Sequence, residues 1–65
     1  MSTMSEQEIL ELAAILVNEH GSAALDLAKR RRQQFAHEPR SAGYRVWSQI
    51  VGAVENLLEK TPHTA

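Results

Sequence analysis

One stretch near the end of the chain, residues 44–58 (YRVWSQIVGAVENLL), constrains the fold more than any other. Its large apolar residues recur at intervals of three and four, which places their side chains on one side of an α-helix. They are Trp47, Ile50, Val51, Val54, Leu57 and Leu58. A helix with this apolar stripe must bury it, so we expect the other segments to pack against this one.

The chain is short, at 65 residues, and it contains no cysteine. A domain of this size buries only about 60% of the surface that its unfolded chain exposes, so a core of its own is marginal. Disulfides and cysteine-based zinc sites are excluded as additional support. Tight helix packing and association with a partner remain as the ways to stabilise such a chain.

The first helix is predicted at about residues 6–20. It begins after Ser5, which forms the S-x-x-E capping box with Glu8, and it ends before Gly21, a residue suited to a left-handed conformation. Ile15 lies off its apolar face, on the far side of the helix. That face consists of Ile9, Leu12, Ala13, Leu16 and Val17.

A second helix is predicted at about residues 23–37, with Ser22 as its cap and Pro39 just beyond its end. Its apolar face is narrow and half alanine, so we expect the first helix to supply most of the cover for the stripe. The third helix is predicted at about residues 41–60, capped by Ser41. Gly43 lies one turn before Trp47 on the same side, where it can admit another backbone.

Three helices with short connections predict an all-α fold, a compact three-helix bundle. No stretch alternates between apolar and polar residues, so strands are not expected. We expect a single helical domain over residues 5–60, with flexible tails at residues 1–4 and 61–65.

Charge is distributed unevenly along the chain. Residues 1–26 carry a net charge of −5, residues 29–45 carry +5, and the remainder carries −1, which together give the total of −1. The basic side chains in the middle segment are Lys29, Arg30, Arg31, Arg32, Arg40 and Arg45. They are a possible polyanion surface. The alternative is that some of them pair with the acidic first helix and the others are solvated.

Over residues 9–58 the chain resembles a group of small alphaproteobacterial helical proteins with an HG…GxxxWxxI pattern. The matching residues are Ala14, Leu16, His20, Gly21, Ala24, Ala28, Arg31, Gly43, Trp47, Ile50, Val54 and Leu57. Val54 stands where those proteins usually have isoleucine, and the connection HEPRSAG replaces an acidic, glycine-containing turn. The resemblance implies a small helical protein of the bacterial cytoplasm. It implies no activity, because none is assigned to that group.

No pattern in the chain indicates catalysis. The serines at helix starts are explained as caps, the three histidines have no metal-ligand spacing, and no glycine-rich phosphate loop occurs. We therefore expect neither an enzyme, nor a metal or cofactor, nor a small-molecule substrate. No secretory signal or membrane span is present in the sequence, so we expect a soluble, cytoplasmic protein.

Protein–protein contact is the function that these patterns favour. The stripe of the third helix is wider than the second helix can cover, and polarised charge favours antiparallel pairing of an acidic with a basic helix across a two-fold axis. The expected partner is a second copy or another protein. The alternative is a small nucleic-acid-binding regulator that uses residues 29–45. The predicted packing or partner surface consists of Tyr44, Val46, Trp47, Ile50, Val54 and Leu57.

Overall fold

The structure, a computed structural model, describes residues 4–60. It contains three helices, α1 (Glu6–His20), α2 (Ala23–Gln34) and α3 (Ala42–Lys60), and the described residues form no strand. The predicted all-α three-helix bundle is confirmed. Residues 1–3 and 61–65, for which tails were predicted, lie outside the described residues. Met4, assigned to the same N-terminal tail, packs against the core.

The capping box at the start of α1 is present as predicted. The backbone N–H of Ser5 donates to Glu8 Oε1 at 2.8 Å, and the N–H of Glu8 donates to Ser5 Oγ at 3.2 Å. Each residue thereby satisfies a backbone donor at the helix start. At the other end Gly21 has the expected positive φ of 59°, but its ψ of −135° lies outside the left-handed helical region.

The predicted end and the predicted cap of α2 are both wrong. The helix ends at Gln34 instead of about residue 37. The chain then tightens into turns, with the N–H of Phe35 bonded to the carbonyl of Arg32. Ser22 makes no capping hydrogen bond. Its backbone is already helical, with φ −66° and ψ −20°, whereas a capping side chain requires an extended backbone.

The start of α3 follows the prediction, since Ser41 Oγ accepts a hydrogen bond from the N–H of Tyr44 at 3.2 Å. Gly43 does permit a close approach, but its neighbour is the aromatic ring of Phe35 and not another backbone. Because the chain leaves α2 just before Phe35, this ring can lie against the first turn of α3.

The core is small, and half of the buried residues that the structure describes are alanines. α3 contacts α2 as extensively as it contacts α1, so the expectation that the first helix supplies most of the cover is wrong. Alanines on α2 allow the two helix axes to approach closely, which compensates for the narrow apolar face. The buried residues are Ile9, Ala13, Ala24, Ala28, Ile50, Val51, Ala53 and Val54.

Candidate interaction surfaces

The residues predicted as a packing or partner surface on α3 differ in exposure. Ile50 and Val54 are fully buried, with 0% of their surface exposed, so they belong to the core and cannot contact a partner. The other four are half-buried: Tyr44, Val46, Trp47 and Leu57. Most of this stripe is therefore used inside the chain, and only its margins reach solvent.

Among residues 4–60, two large apolar residues are strongly exposed, and both lie on α1. Leu10 is 48% exposed and Ile15 is 52% exposed. The sequence identified Ile15, because it lies off the apolar spacing of the helix. The exposure of Leu10 was missed, because Leu10 flanks the apolar face and its environment depends on how α1 is placed beside α3.

Leu10 borders an open groove between the start of α1 and the middle of α3. The groove encloses about 530 Å³, and Ile9, Gly52 and Ala53 are among the residues that line it. Its polar rim is formed mainly by uncharged amides, Gln49 and Asn56, with Glu6 as the charged member. The absence of any atom within 4 Å of a Cβ built on Gly52 shows that the groove is open there.

Ile15 has a different, acidic environment. Glu11 and Glu19 are one helical turn away on either side, and Glu8 is two turns away, so all three lie on the same face as Ile15. Each of these carboxylates is exposed. The exposed isoleucine therefore lies at the centre of an acidic stripe on α1.

The basic side chains of residues 29–45 also point largely into solvent. Five are exposed and Arg32 is half-buried. Within residues 4–60 none of the six forms a salt bridge; the contact found there between a basic and an acidic side chain joins His20 Nε2 to Glu19 Oε1 at 4.0 Å. The alternative in which some of these residues pair with α1 of the same chain is therefore not observed among the described residues. The members are Lys29, Arg30, Arg31, Arg32, Arg40 and Arg45.

Their arrangement is not that of a helix-turn-helix. Four consecutive basic residues on α2 are about 100° apart around the helix, so they encircle it and do not form one flat patch. The connection from α2 to α3 spans residues 35–41, whereas the turn of a helix-turn-helix has about 3–4 residues. These features place Arg40 in the connection and Arg45 on α3, separate from the run on α2.

The described part of the chain contains no group of three or more metal-ligating side chains. None of the helices it contains has the length and apolar character needed to cross a membrane. Comparisons of the chain with protein-family models, with curated proteins and with solved structures find no match.

Proposed function

We propose that this is a small non-catalytic helical protein that acts through protein–protein contact, either as a homo-oligomer or as an adaptor. The resemblance to small alphaproteobacterial proteins and the lack of cysteine support a cytoplasmic location. A second copy of the chain is the first partner to test, because the chain carries segments of opposite charge.

The observation that carries this proposal is the small core beside two exposed apolar residues. Of the eight buried residues in the described part of the chain, four are alanines, while Leu10 and Ile15 on α1 expose about half of their surface. A chain of this size gains stability when a partner covers further apolar area, since each Å² removed from water contributes about 25 cal/mol. Association would bury the apolar surface of Leu10 and Ile15 that the chain itself leaves exposed.

Analytical ultracentrifugation over a micromolar concentration series tests the homo-oligomer. We expect a dimer or larger species whose population rises with concentration. Thermal unfolding should also shift to higher temperature as concentration increases, because association stabilises the folded form by mass action. A strict monomer with a concentration-independent melting temperature would contradict the homo-oligomeric form of the proposal.

The second candidate is a small nucleic-acid-binding regulator that uses residues 29–45. The observation in its favour is that the six basic side chains of this segment make no salt bridge within the described residues. Binding of a labelled random duplex at low and moderate salt separates the two candidates. Phosphate contacts are strongest at low salt, so the absence of binding there would remove the nucleic-acid function.

A further inference from the structure

The α1–α2 hairpin has a face that α3 does not cover. On α1, Leu10 and Ile15 lie on the two different sides of the buried stripe of the helix. Leu10 borders the groove shared with α3, and Ile15 lies on the other side from Leu10. On α2, Leu25 and Leu27 likewise lie on the two different sides of the buried alanines. Leu25 lines a cleft with Leu58 of α3, and Leu27 lies on the other side from Leu25. Ile15 and Leu27 therefore both lie on the side of the hairpin that faces away from α3.

The two helices also place matching residues at the same height on this face. Gly21 is the turn between them, and Ile15 and Leu27 are each six residues from it, or about 9 Å along their helices. Glu11 and Arg31 are each ten residues from Gly21. The face thus has an apolar pair, Ile15 and Leu27, at one level and the Glu11–Arg31 pair farther from the turn, while Glu19 lies nearer the turn, two residues from Gly21.

The two halves of this face carry opposite charge. The α1 half contains Glu11 and Glu19 around Ile15, and the α2 half contains Arg30 and Arg31, one on each side of Leu27. No salt bridge joins the two halves among residues 4–60. Glu11 accepts a 3.5 Å hydrogen bond from Gln7, and Glu19 lies 4.0 Å from His20. The charged residues of both halves are nevertheless exposed, so a partner can reach them.

We infer that two copies of the chain associate through this α1–α2 face about a two-fold axis parallel to the helices. Rotation about that axis exchanges the lateral positions of α1 and α2 but does not change the position of any residue along the helix axes. It places α1 of one copy on α2 of the other in antiparallel orientation, with Ile15 against the partner's Leu27 and Glu11 against the partner's Arg31. This inference rests on the proposed function, and it specifies the partner and the interface.

Charge selects this axis over the alternative one. A two-fold axis perpendicular to the helices within the same interface would place α1 on α1 and α2 on α2, so that glutamate faces glutamate and arginine faces arginine. Juxtaposed like charges across an interface cost several kcal/mol, whereas complementary charges fix the register of the two partners. The parallel axis is the arrangement that places Glu11 against the partner's Arg31 and the acidic half of each face against the basic half of the other.

Two charge-reversal variants test the interface. Glu11→Lys with Glu19→Lys makes both halves of the face basic, and Arg30→Glu with Arg31→Glu makes both halves acidic. The dissociation constant of each variant alone should be at least about tenfold higher than that of the wild type, because two halves of the same charge then face each other. An equimolar mixture of the two should form a heterodimer, since an all-acidic face then meets an all-basic one.

Sedimentation of the wild type, each variant and the mixture gives the dissociation constants, and circular dichroism verifies that each variant is helical. The matched control is Glu55→Lys with Glu59→Lys, which reverses two exposed acids on α3 and should leave dimerisation unchanged. Ile15→Gln, which alters no charge, should also weaken the dimer.

The outcomes separate this interface from the proposed function. A wild type that dimerises while both reversal variants dimerise equally well overturns the α1–α2 interface and leaves homo-oligomerisation intact. Variants that dissociate but do not combine in the mixture also overturn the two-fold arrangement. A wild type that remains monomeric overturns the homo-oligomeric function itself.

Discussion

The ring of Phe35 occupies the space beside Gly43 in which a larger residue would place its Cβ. Phe35 Cε1 lies 2.5 Å from the position of that missing atom, and two further ring atoms lie within 2.8 Å. The contact joins the residue that follows α2 to the first turn of α3. It packs the start of the connection between the two helices against α3.

Replacing Gly43 with alanine should destabilise the protein by about 1 kcal/mol. Overpacking costs about 1–3 kcal/mol, which exceeds the gain in helix propensity at the first turn of α3. Urea denaturation followed by the fluorescence of Trp47, the single tryptophan, measures the change. In a Phe35→Leu background, Gly43→Ala should lower the free energy of unfolding by less. An equal decrease in both backgrounds would show that the aromatic ring does not cause the destabilisation.

Gly52→Ala should act in the opposite direction. Gly52 lies inside α3, and a Cβ there meets no atom within 4 Å. Alanine restricts the unfolded chain and favours the helix, so the free energy of unfolding should rise by about 0.5–1 kcal/mol. The same urea titration is the measurement, and a decrease would mean that the groove beside Gly52 is narrower than described.

Ser5→Ala should reduce the free energy of unfolding by about 1 kcal/mol, because it removes the side-chain oxygen of the capping box at α1. Ser22→Ala is the matched control. Ser22 precedes α2 but makes no capping hydrogen bond, so its replacement should change stability by no more than a few tenths of a kcal/mol. An equal decrease in the free energy of unfolding for both variants would show that the capping hydrogen bond of Ser5 does not distinguish the two helix starts.

Two isoleucines allow the same substitution to be compared at buried and exposed positions. Ile50 is 0% exposed in the core, so Ile50→Ala should cost about 2–5 kcal/mol through lost burial and a residual cavity. Ile15 is 52% exposed, and Ile15→Ala should cost less than about 0.5 kcal/mol in the dissociated chain. Thermal unfolding at low protein concentration checks both values without a contribution from association.

Part of the candidate interface could be predicted from the sequence. Helical spacing alone separates Ile15 from the buried face of α1 and places Glu11 and Glu19 beside it. The exposure of Leu10 could not be predicted, because it depends on the position of α1 beside α3. The absence of ion pairs between α1 and α2 could not be predicted from the sequence either, because it depends on how far apart the packed helices hold their charged side chains.

The sequence by itself determined the three helices and both ends of α1, because apolar spacing, a capping box and a glycine act over only a few residues. Tertiary structure decided where α2 ends. Pro39 restricts only the residue before it, yet the helix stops at Gln34, where the following Phe35 packs against Gly43. Tertiary structure also decided the size of the core, because alanines on α2 allow α3 to pack on both neighbours. That arrangement leaves one face of the α1–α2 hairpin uncovered.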